Sequence, residues 1–514
     1  MTETFPVDFD KANAYRHSGE FIMRNPAKGH NIVIIGSGIG GLSAGVILSL
    51  LNFNVTIVEK NPLPGGLMRS YRRSGVDCPV GIHYVGALGN NEPLGRMFQF
   101  MGIPVDELFV PMGGEGVIDR YIFDDLIFDL PSNIDALEKN LRNSFPLETM
   151  ALDIIMKNLR DIARQMKDTA FLFSQGDPFQ NMDYYQPMGE WLDSLKVSPA
   201  LRAVLSVPCN LIGVPLNDCP AIFHHMVLAS YLFSSWRLKE NGSRMADVFV
   251  RRFKALGGTL VLDNGVNKIS ISEGRVAGVI LETGDAIAAD AVVAAVHPKV
   301  LLQLLNENDL RESFRRRIRG LKETEGVLCV HAGVNAAAHP EIHHNIYRLH
   351  RDEHGVIHDG VFYQLRDSGS PGVNLLSIIT KSLYADWIPW EKTVTGQRGK
   401  AYEEKKMSAA RDLMKKAGEI FGDLNDARIV DVYTPLTIRD YVNAPEGACY
   451  GIMRASRQLL KAISLNNLPI PGLCLAGQNA LAPGVMGCLF GAFNAVRQIM
   501  GGERFAREIR VNTQ

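Results

Sequence analysis

The sequence predicts an α/β chain in which a Rossmann-like cofactor-binding domain, assembled from separated pieces, carries a discontinuous substrate domain of helices and a second sheet. Three observations support this. Residues 31–35, apolar from Ile32 to Ile35, read as a buried strand that leads into a glycine-rich turn at 36–41 and continues as an apolar helix at 42–51 and a second strand at 54–58. That is a βαβ unit. Far along the chain, the short apolar run 473–476 enters a second glycine-rich segment. Finally, 514 residues exceed what a single core usually supports.

The elements follow in order. Residues 1–29 hold Asp8, Asp10 and Glu20 without the apolar core of a signal peptide, and read as an N-terminal surface extension. A loop spans 62–66, and a helix over 132–141 takes Ser132 as its N-cap. Amphipathic patterns cover 151–173 and 188–205, and the apolar segment 224–233 keeps the middle of the chain mainly helical. A helix over 246–255 leads through Gly257-Gly258 into strands at 259–262, 266–271, 276–281 and 291–295, punctuated by Glu273-Gly274 and Thr283-Gly284. Strands at 327–334, 375–380 and 429–433, with a charged helix over 402–420, form a second sheet region, and 488–500 has helical periodicity. The cofactor domain is accordingly assigned to 30–135, 240–300 and 465–505, and the substrate domain to 136–239 and 301–464.

Composition excludes several classes. Hydrophobic residues at 46% and charged residues at 21% describe an ordinary globular chain. A net charge of -1 removes any general electrostatic case for nucleic acid. The seven cysteines are scattered with no C-x-x-C pair, which indicates neither a disulfide framework nor a zinc site and suits a reducing, cytoplasmic compartment. The uncharged stretch 219–236 is interrupted by Pro220, His224 and His225, and 462–496 by repeated Gly, Pro and Asn, so neither reads as a membrane span.

The turn Gly36-Ser37-Gly38-Ile39-Gly40-Gly41 satisfies G-x-G-x-x-G in the strand–turn–helix context that makes the motif specific. Its glycines serve a tight turn, close approach of backbone to a pyrophosphate, and helix–strand contact. Glu59, at the end of the second strand with Lys60 after it, is placed to accept hydrogen bonds from ribose hydroxyls, and its charge disfavours a 2′-phosphate. The turn alone serves NAD and FAD alike. FAD is selected by the rest of the chain: Pro64-Gly65-Gly66 with Leu67 and Met68 forms a loop able to follow a diphosphate, and Val266 offers backbone to an adenine. Gly477 and Gln478 at a strand end, with Val485, Met486 and Gly487 at a helix start, bring N–H groups to a flavin's polar edge.

Gly81-Ile82-His83-Tyr84-Val85-Gly86, the segments Tyr433-Thr434-Pro435-Leu436-Thr437 and Pro445 to Gly451, and the two glycine-rich segments in their order resemble the superfamily of FAD-dependent phytoene desaturases, carotenoid isomerases and retinol saturases. The resemblance spans nearly the whole chain. Asn241-Gly242-Ser243 stands where that superfamily usually has Gly-Gly-Ser, Pro79 where saturases carry an acidic residue, and Leu67 where a polar or basic residue is frequent. The resemblance implies non-covalent FAD and action on carbon–carbon double bonds of a lipophilic isoprenoid or polyene. The 81–86 segment is closer to the retinol saturases, which implies saturation. Desaturation and flavin-dependent cis–trans isomerisation are the neighbouring outcomes, and a flavin- and lipid-binding protein without turnover is the alternative from another class.

His83 and Tyr84 are the candidate catalytic side chains, placed to exchange a proton with a carbon beside the one that exchanges hydride; packing of the cofactor loop is their other reading. His224 and His225 point about 100° apart on a helix, so they do not share an ion and no metal is expected. Residues 226–233 with 211–214 read as an apolar wall for a lipophilic substrate. No second G-x-G-x-x-G in a strand–helix context is present, so electrons are expected from NAD(P)H binding over the flavin, an electron-donor protein or a quinone. An apolar substrate implies transient peripheral membrane contact, although no basic amphipathic helix announces it.

Overall fold

The computed structural model describes residues 29–167 and 185–513. The expected N-terminal extension, apart from Gly29, and the end of the 151–173 pattern lie outside the described residues. Five short strands form a parallel sheet in the order Thr259–Val261, Asn54–Val58, Asn31–Ile35, Ala291–Ala294, Leu473–Leu475. Counted along the chain this is 3-2-1-4-5, the doubly wound order, with its reversal at Asn31–Ile35. A parallel sheet is covered on both faces, which explains why Ile32 to Ile35 are all apolar and all buried.

The helix Ile39–Leu50 begins three residues before the expected start, because extended Gly38 caps it. Eleven of its twelve residues are buried, so it is a core helix. Burial of side chains such as Leu42, Val46, Ile47 and Leu48 stabilises the domain by about 2 kcal/mol each. It packs against the helices Gly242–Ala255 and Gly484–Met500, which come from the other two pieces of the domain. An antiparallel meander of Val266–Ser272, Arg275–Leu281 and Ala286–Ala288 fills the crossover between the third and fourth parallel strands, turning at Glu273 and Gly274, both at positive φ.

The second sheet has seven strands in the order Arg428–Tyr433, Gly326–Asn335, Val373–Ser382, Ile357–Ser370, Asn345–Arg351, Val117–Ile122, Ile127–Pro131. The last two correct the expected piece 30–135: they leave the parallel sheet's region and pair in the second sheet, Val117–Ile122 running parallel to Asn345–Arg351. Asn345–Arg351 and Ile357–Ser370 also join strands that periodicity did not single out. One face of this sheet packs apolar residues such as Val330, Leu365 and Ile378 beneath the long helix Lys400–Phe421. The opposite face carries polar residues toward the cofactor domain.

The helix expected from Ser132 starts instead at Ile134, capped by Asn133, whose side chain accepts from the Ala136 N–H. The 188–205 pattern divides into Met188–Ser194 and Pro199–Asn210, separated where Lys196 takes a positive φ and Ser198 caps the second helix. With Thr149–Lys167 and Ala221–Phe233 these form a helical layer whose core reaches Tyr121, Phe128 and Tyr347 of the second sheet. No helix among the described residues is long and apolar enough to cross a membrane.

Candidate functional site

The glycine-rich turn leaves the parallel sheet at its switch point, the edge where doubly wound folds bind ligands. Gly36 has φ 99°, and its N–H donates to the Val58 carbonyl at 2.8 Å. Three close glycine contacts then shape the site, two of them joining segments distant in sequence and the third closing the turn itself. A β-carbon on Gly66 would stand 3.1 Å from the Gly38 α-carbon, one on Gly40 would stand 2.4 Å from the Gly477 α-carbon, and one on Gly41 would stand 2.0 Å from the Gly36 oxygen. Around Gly38, Gly477 and Gly484, by contrast, a β-carbon would meet nothing within 4 Å. Glycine is thus required by protein–protein contact at some positions, while others border open space at a sheet end.

Glu59 is 6% exposed. Its Oε2 accepts from Ser37 N at 2.9 Å and Ser37 Oγ at 2.7 Å, and its Oε1 accepts from Asn61 N at 3.0 Å and Asn61 Nδ2 at 2.7 Å. The Gly65 N–H donates to the Ser37 carbonyl at 3.0 Å, so the second glycine loop is tied to the first. Val266 leaves from the same neighbourhood: the Asn264 N–H donates to the Glu59 carbonyl. The helix Gly484–Met500 starts with no side-chain cap, which leaves the N–H groups around Val485, Met486 and Gly487 and the positive end of the helix dipole uncompensated by protein side chains. Open glycines, a fixed acid and an uncapped helix start fit a flavin dinucleotide. Lys60 does not join this group; it is exposed, with its Nζ 3.5 Å from the Asp440 carbonyl. Ile39 and Met68 pack in the core, and Leu67 packs toward Val80, Cys329 and Tyr433.

Gln478 lies in a segment held from behind by Arg454. This guanidinium is 1% exposed and donates to the carbonyls of Leu481, Ile452 and Gln478 at 2.9, 3.4 and 3.3 Å. Burial lowers its pKa to about 10, with Glu323 opposing the shift. Glu323 in turn meets His297 at 2.9 Å and Lys299 at 2.8 Å, just beyond the fourth parallel strand. These residues were not apparent in the sequence, because nothing local marks a buried arginine as a backbone clamp.

The 81–86 segment forms the next wall. A β-carbon on Gly81 would lie 3.1 Å from Leu67, and one on Gly86 would lie 2.6 Å from the Ser230 backbone, so the segment is held between the second glycine loop and the helix Ala221–Phe233. The His83 ring lies 5.6 Å from Phe362, tilted by 57°, and its Nδ1 is buried without a hydrogen-bond partner. Burial, with the nearby charges of His331 and Arg366, lowers its pKa to about 3. Its imidazole is therefore neutral at ordinary pH. Tyr84 is buried, 4.7 Å from the Tyr231 ring, and its hydroxyl lies 3.0 Å from Asp119 Oδ2 and 2.9 Å from the Tyr347 hydroxyl.

Asp119 belongs to a transverse polar row on the second sheet's inner face. The Asn345 Nδ2 donates to Asp119 Oδ1 at 2.8 Å, and the Gln364 Nε2 donates to Asn345 Oδ1 at 3.0 Å and to the His83 carbonyl at 3.3 Å. Farther along, His331 meets Ser377 Oγ at 3.1 Å and the Pro79 carbonyl at 3.0 Å. Sheet register explains the row: Asp119 opposes Asn345, Gln364 opposes Ser377, and Ser377 opposes His331. Burial raises the Asp119 pKa to about 7, against hydrogen bonds from Asn345 and Tyr84 that lower it. The sequence signal was available: in Val-Ile-Asp-Arg-Tyr-Ile, the acid shares a strand face with Tyr121 rather than with Arg120.

His224 and His225 are buried apart from this group, bonded to the carbonyls of Leu205 and Ala221. Their rings are nearly perpendicular, with an interplanar angle of 77°. Among the described residues no group of His, Cys, Asp or Glu is arranged to hold a metal ion.

A family model described as flavin containing amine oxidoreductase matches residues 39–500. The all-trans-retinol 13,14-reductase of Danio rerio is 24% identical over 548 residues, covering 95% of this chain and 89% of that protein. Prolycopene isomerase 1, chloroplastic, of an Oncidium hybrid cultivar is 24% identical over 497 residues, covering 90% and 83%. The crystal structure of an oxidoreductase from Methanosarcina mazei superposes with a TM-score of 0.65 at 15% identity, covering 91% of this chain and all of that one.

Proposed function

The chain belongs to the flavin containing amine oxidoreductase family, and from that premise we propose that it is an FAD-dependent oxidoreductase that saturates a carbon–carbon double bond of a lipophilic polyene. Gly36, Gly38, Glu59, Gly65, Gly66 and Gly477 would hold the dinucleotide, and the start of the helix Gly484–Met500 would face the flavin's polar edge. Bound FAD supplies two-electron hydride chemistry at N5. His83 and Tyr84 are the side chains assigned to the site beside it, Tyr84 with a hydrogen to give and His83 as a neutral imidazole.

The observation that carries the reading is the state of the acid behind Tyr84. Asp119 is 1% exposed, and its two oxygens are engaged by Tyr84 and Asn345, so it is packed behind Tyr84 rather than presented to the ammonium group an amine substrate would bring. The surrounding rings, Tyr84, Tyr231, Tyr347 and Phe362, suit a neutral, flat, apolar molecule. Relatives whose names refer to retinol and prolycopene support the polyene class. Electron supply from NAD(P)H, an electron-donor protein or a quinone, and transient contact with a membrane surface, belong to the same proposal.

The test is anaerobic photoreduction of the purified flavoprotein followed by all-trans-retinol or prolycopene. Flavin reoxidation with a product heavier by two hydrogens is the expected result. A product of unchanged mass would establish isomerisation instead, and a flavin that no polyene reoxidises would remove the reading.

A further inference from the structure

Tyr84 has one hydrogen, and its environment decides where that hydrogen goes. The hydroxyl lies within hydrogen-bond distance of two groups, Asp119 Oδ2 at 3.0 Å and Tyr347 Oη at 2.9 Å. An ionised carboxylate is acceptor-only, so against it the Tyr84 hydrogen is committed to Asp119. A protonated carboxyl reverses the bond: it donates to the Tyr84 oxygen, Tyr347 can donate to the same oxygen, and the Tyr84 hydrogen is released. Asn345 fixes the geometry by donating to the other carboxyl oxygen, and Gln364 fixes Asn345.

We propose that Asp119 is the positioning residue of the reaction, a proton-controlled gate that commits the Tyr84 hydrogen when ionised and frees it for the substrate when protonated. This rests on the saturation reading. The step balances as follows. Hydride supplied by reduced flavin forms a C–H bond at one carbon of the double bond, whose π electron pair moves to the neighbouring carbon. Tyr84 breaks its O–H bond to protonate that neighbour, then regains a proton from the Asp119 carboxyl, which is reprotonated from solvent. The substrate is reduced by two electrons and the flavin oxidised by two; a two-electron donor of the nicotinamide or quinol class restores it.

The groups facing Asp119 favour such a gate. They are Tyr84 from the 81–86 segment, Tyr121 on its own strand, Tyr231 from the helix Ala221–Phe233 and Tyr347 from the adjacent strand, all driven upward in pKa by burial and so protonated throughout the working range. The groups that shift Asp119 are burial and two neutral donors, with no cation among them. The gate opens as pH falls through about 7.

Infrared difference spectroscopy of the holoenzyme, titrated from pH 5 to 9, tests the gate directly. A protonated-carboxyl band should disappear with a midpoint near 7, carry the Tyr84 ring mode with it, and be missing in Asp119→Asn. Tyr84→Phe identifies the ring mode. A carboxyl that stays ionised down to the ordinary aspartate range, or a tyrosine mode that ignores its titration, overturns the gate whatever the substrate. With all-trans-retinol as probe, Asp119→Asn, whose amide can donate to the Tyr84 oxygen as the protonated carboxyl does, should keep its flavin, reoxidise once after photoreduction about 10-fold faster than the wild type at pH 8 and flatten the pH profile, with pH dependence partly restored in Asp119→Glu. Unaltered reoxidation and an unaltered profile in Asp119→Asn would also overturn it. If the wild type is not reoxidised by retinol or prolycopene, the saturation reading fails while the infrared titration still decides the gate.

Discussion

The α-carbon of Gly477 occupies the space that a β-carbon on Gly40 would need, 2.4 Å away. The first turn of the N-terminal core helix and the end of the fifth parallel strand therefore touch through backbone alone. Gly38, two residues earlier, has nothing within 4 Å of its own β-position. Gly40→Ala should destabilise the fold by about 3 kcal/mol through overpacking and lose the flavin as well. Gly38→Ala should melt like the wild-type apoprotein yet bind FAD poorly. Thermal denaturation of both apoproteins beside flavin titration checks the contrast, and equal behaviour of the two variants would refute it.

Glu59, proposed to hold the dinucleotide, accepts four hydrogen bonds from Ser37 and Asn61. Glu59→Gln replaces one acceptor oxygen by a donor and removes the charge from these bonds. Charge-assisted hydrogen bonds contribute about 2 kcal/mol, so FAD affinity should fall by about 30-fold. Fluorescence titration of apoprotein with FAD measures this; an unchanged dissociation constant would show that the ribose is held elsewhere.

Arg454 satisfies three carbonyls from inside the protein. Arg454→Met keeps volume but leaves those oxygens and Glu323 without it, at a cost of about 4 kcal/mol. Urea denaturation should show this loss together with weakened flavin retention, since the clamp holds Gln478 and Leu481 beside the flavin segment.

Acid stability follows from four histidines, His224, His225 and His331 buried and His83 half-buried. Burial lowers His83 and His224 to about 3 and His225 and His331 to about 4, from 6.5 in the unfolded chain. Each binds fewer protons folded than unfolded between those values. Their contribution is therefore complete above pH 6.5 and lost as pH falls, at up to about 1.4 kcal/mol per pH unit for each histidine. Asp119, raised from 3.8 to about 7, runs the other way and loses its contribution as pH rises through that interval. Urea midpoints should drop from pH 7.5 to 5.5, less so in His224→Gln; a midpoint that rises on acidification contradicts the burial of these rings.

The cofactor half of the site was legible because its chemistry is local: glycines, a strand and an acid at fixed spacing state a backbone shape that few other uses require. The Gly40–Gly477 contact was implied by the two glycine-rich segments without being visible in either. The wall proposed to be catalytic was only half legible. His83 and Tyr84 stand together in sequence, whereas Asp119, Asn345 and Gln364 are joined by cross-strand register, which depends on how the strands of a mixed sheet are ordered. The same ordering moved Val117–Ile122 and Ile127–Pro131 into the second sheet, since alternation identifies a strand's faces and not its neighbour.

The central strand Asn31–Ile35 has Ala291–Ala294 on one side, and beyond it lies Leu473–Leu475. On the ribosome, the glycine turn emerges hundreds of residues before the strand and helix that complete its ligand site. Until they emerge, the nascent chain holds an unfinished sheet edge with an apolar face, the kind of surface on which chaperones act and nascent chains associate. Flavin can reward folding only after the last parallel strand docks, so riboflavin-poor growth should show itself first as reduced yield of soluble protein.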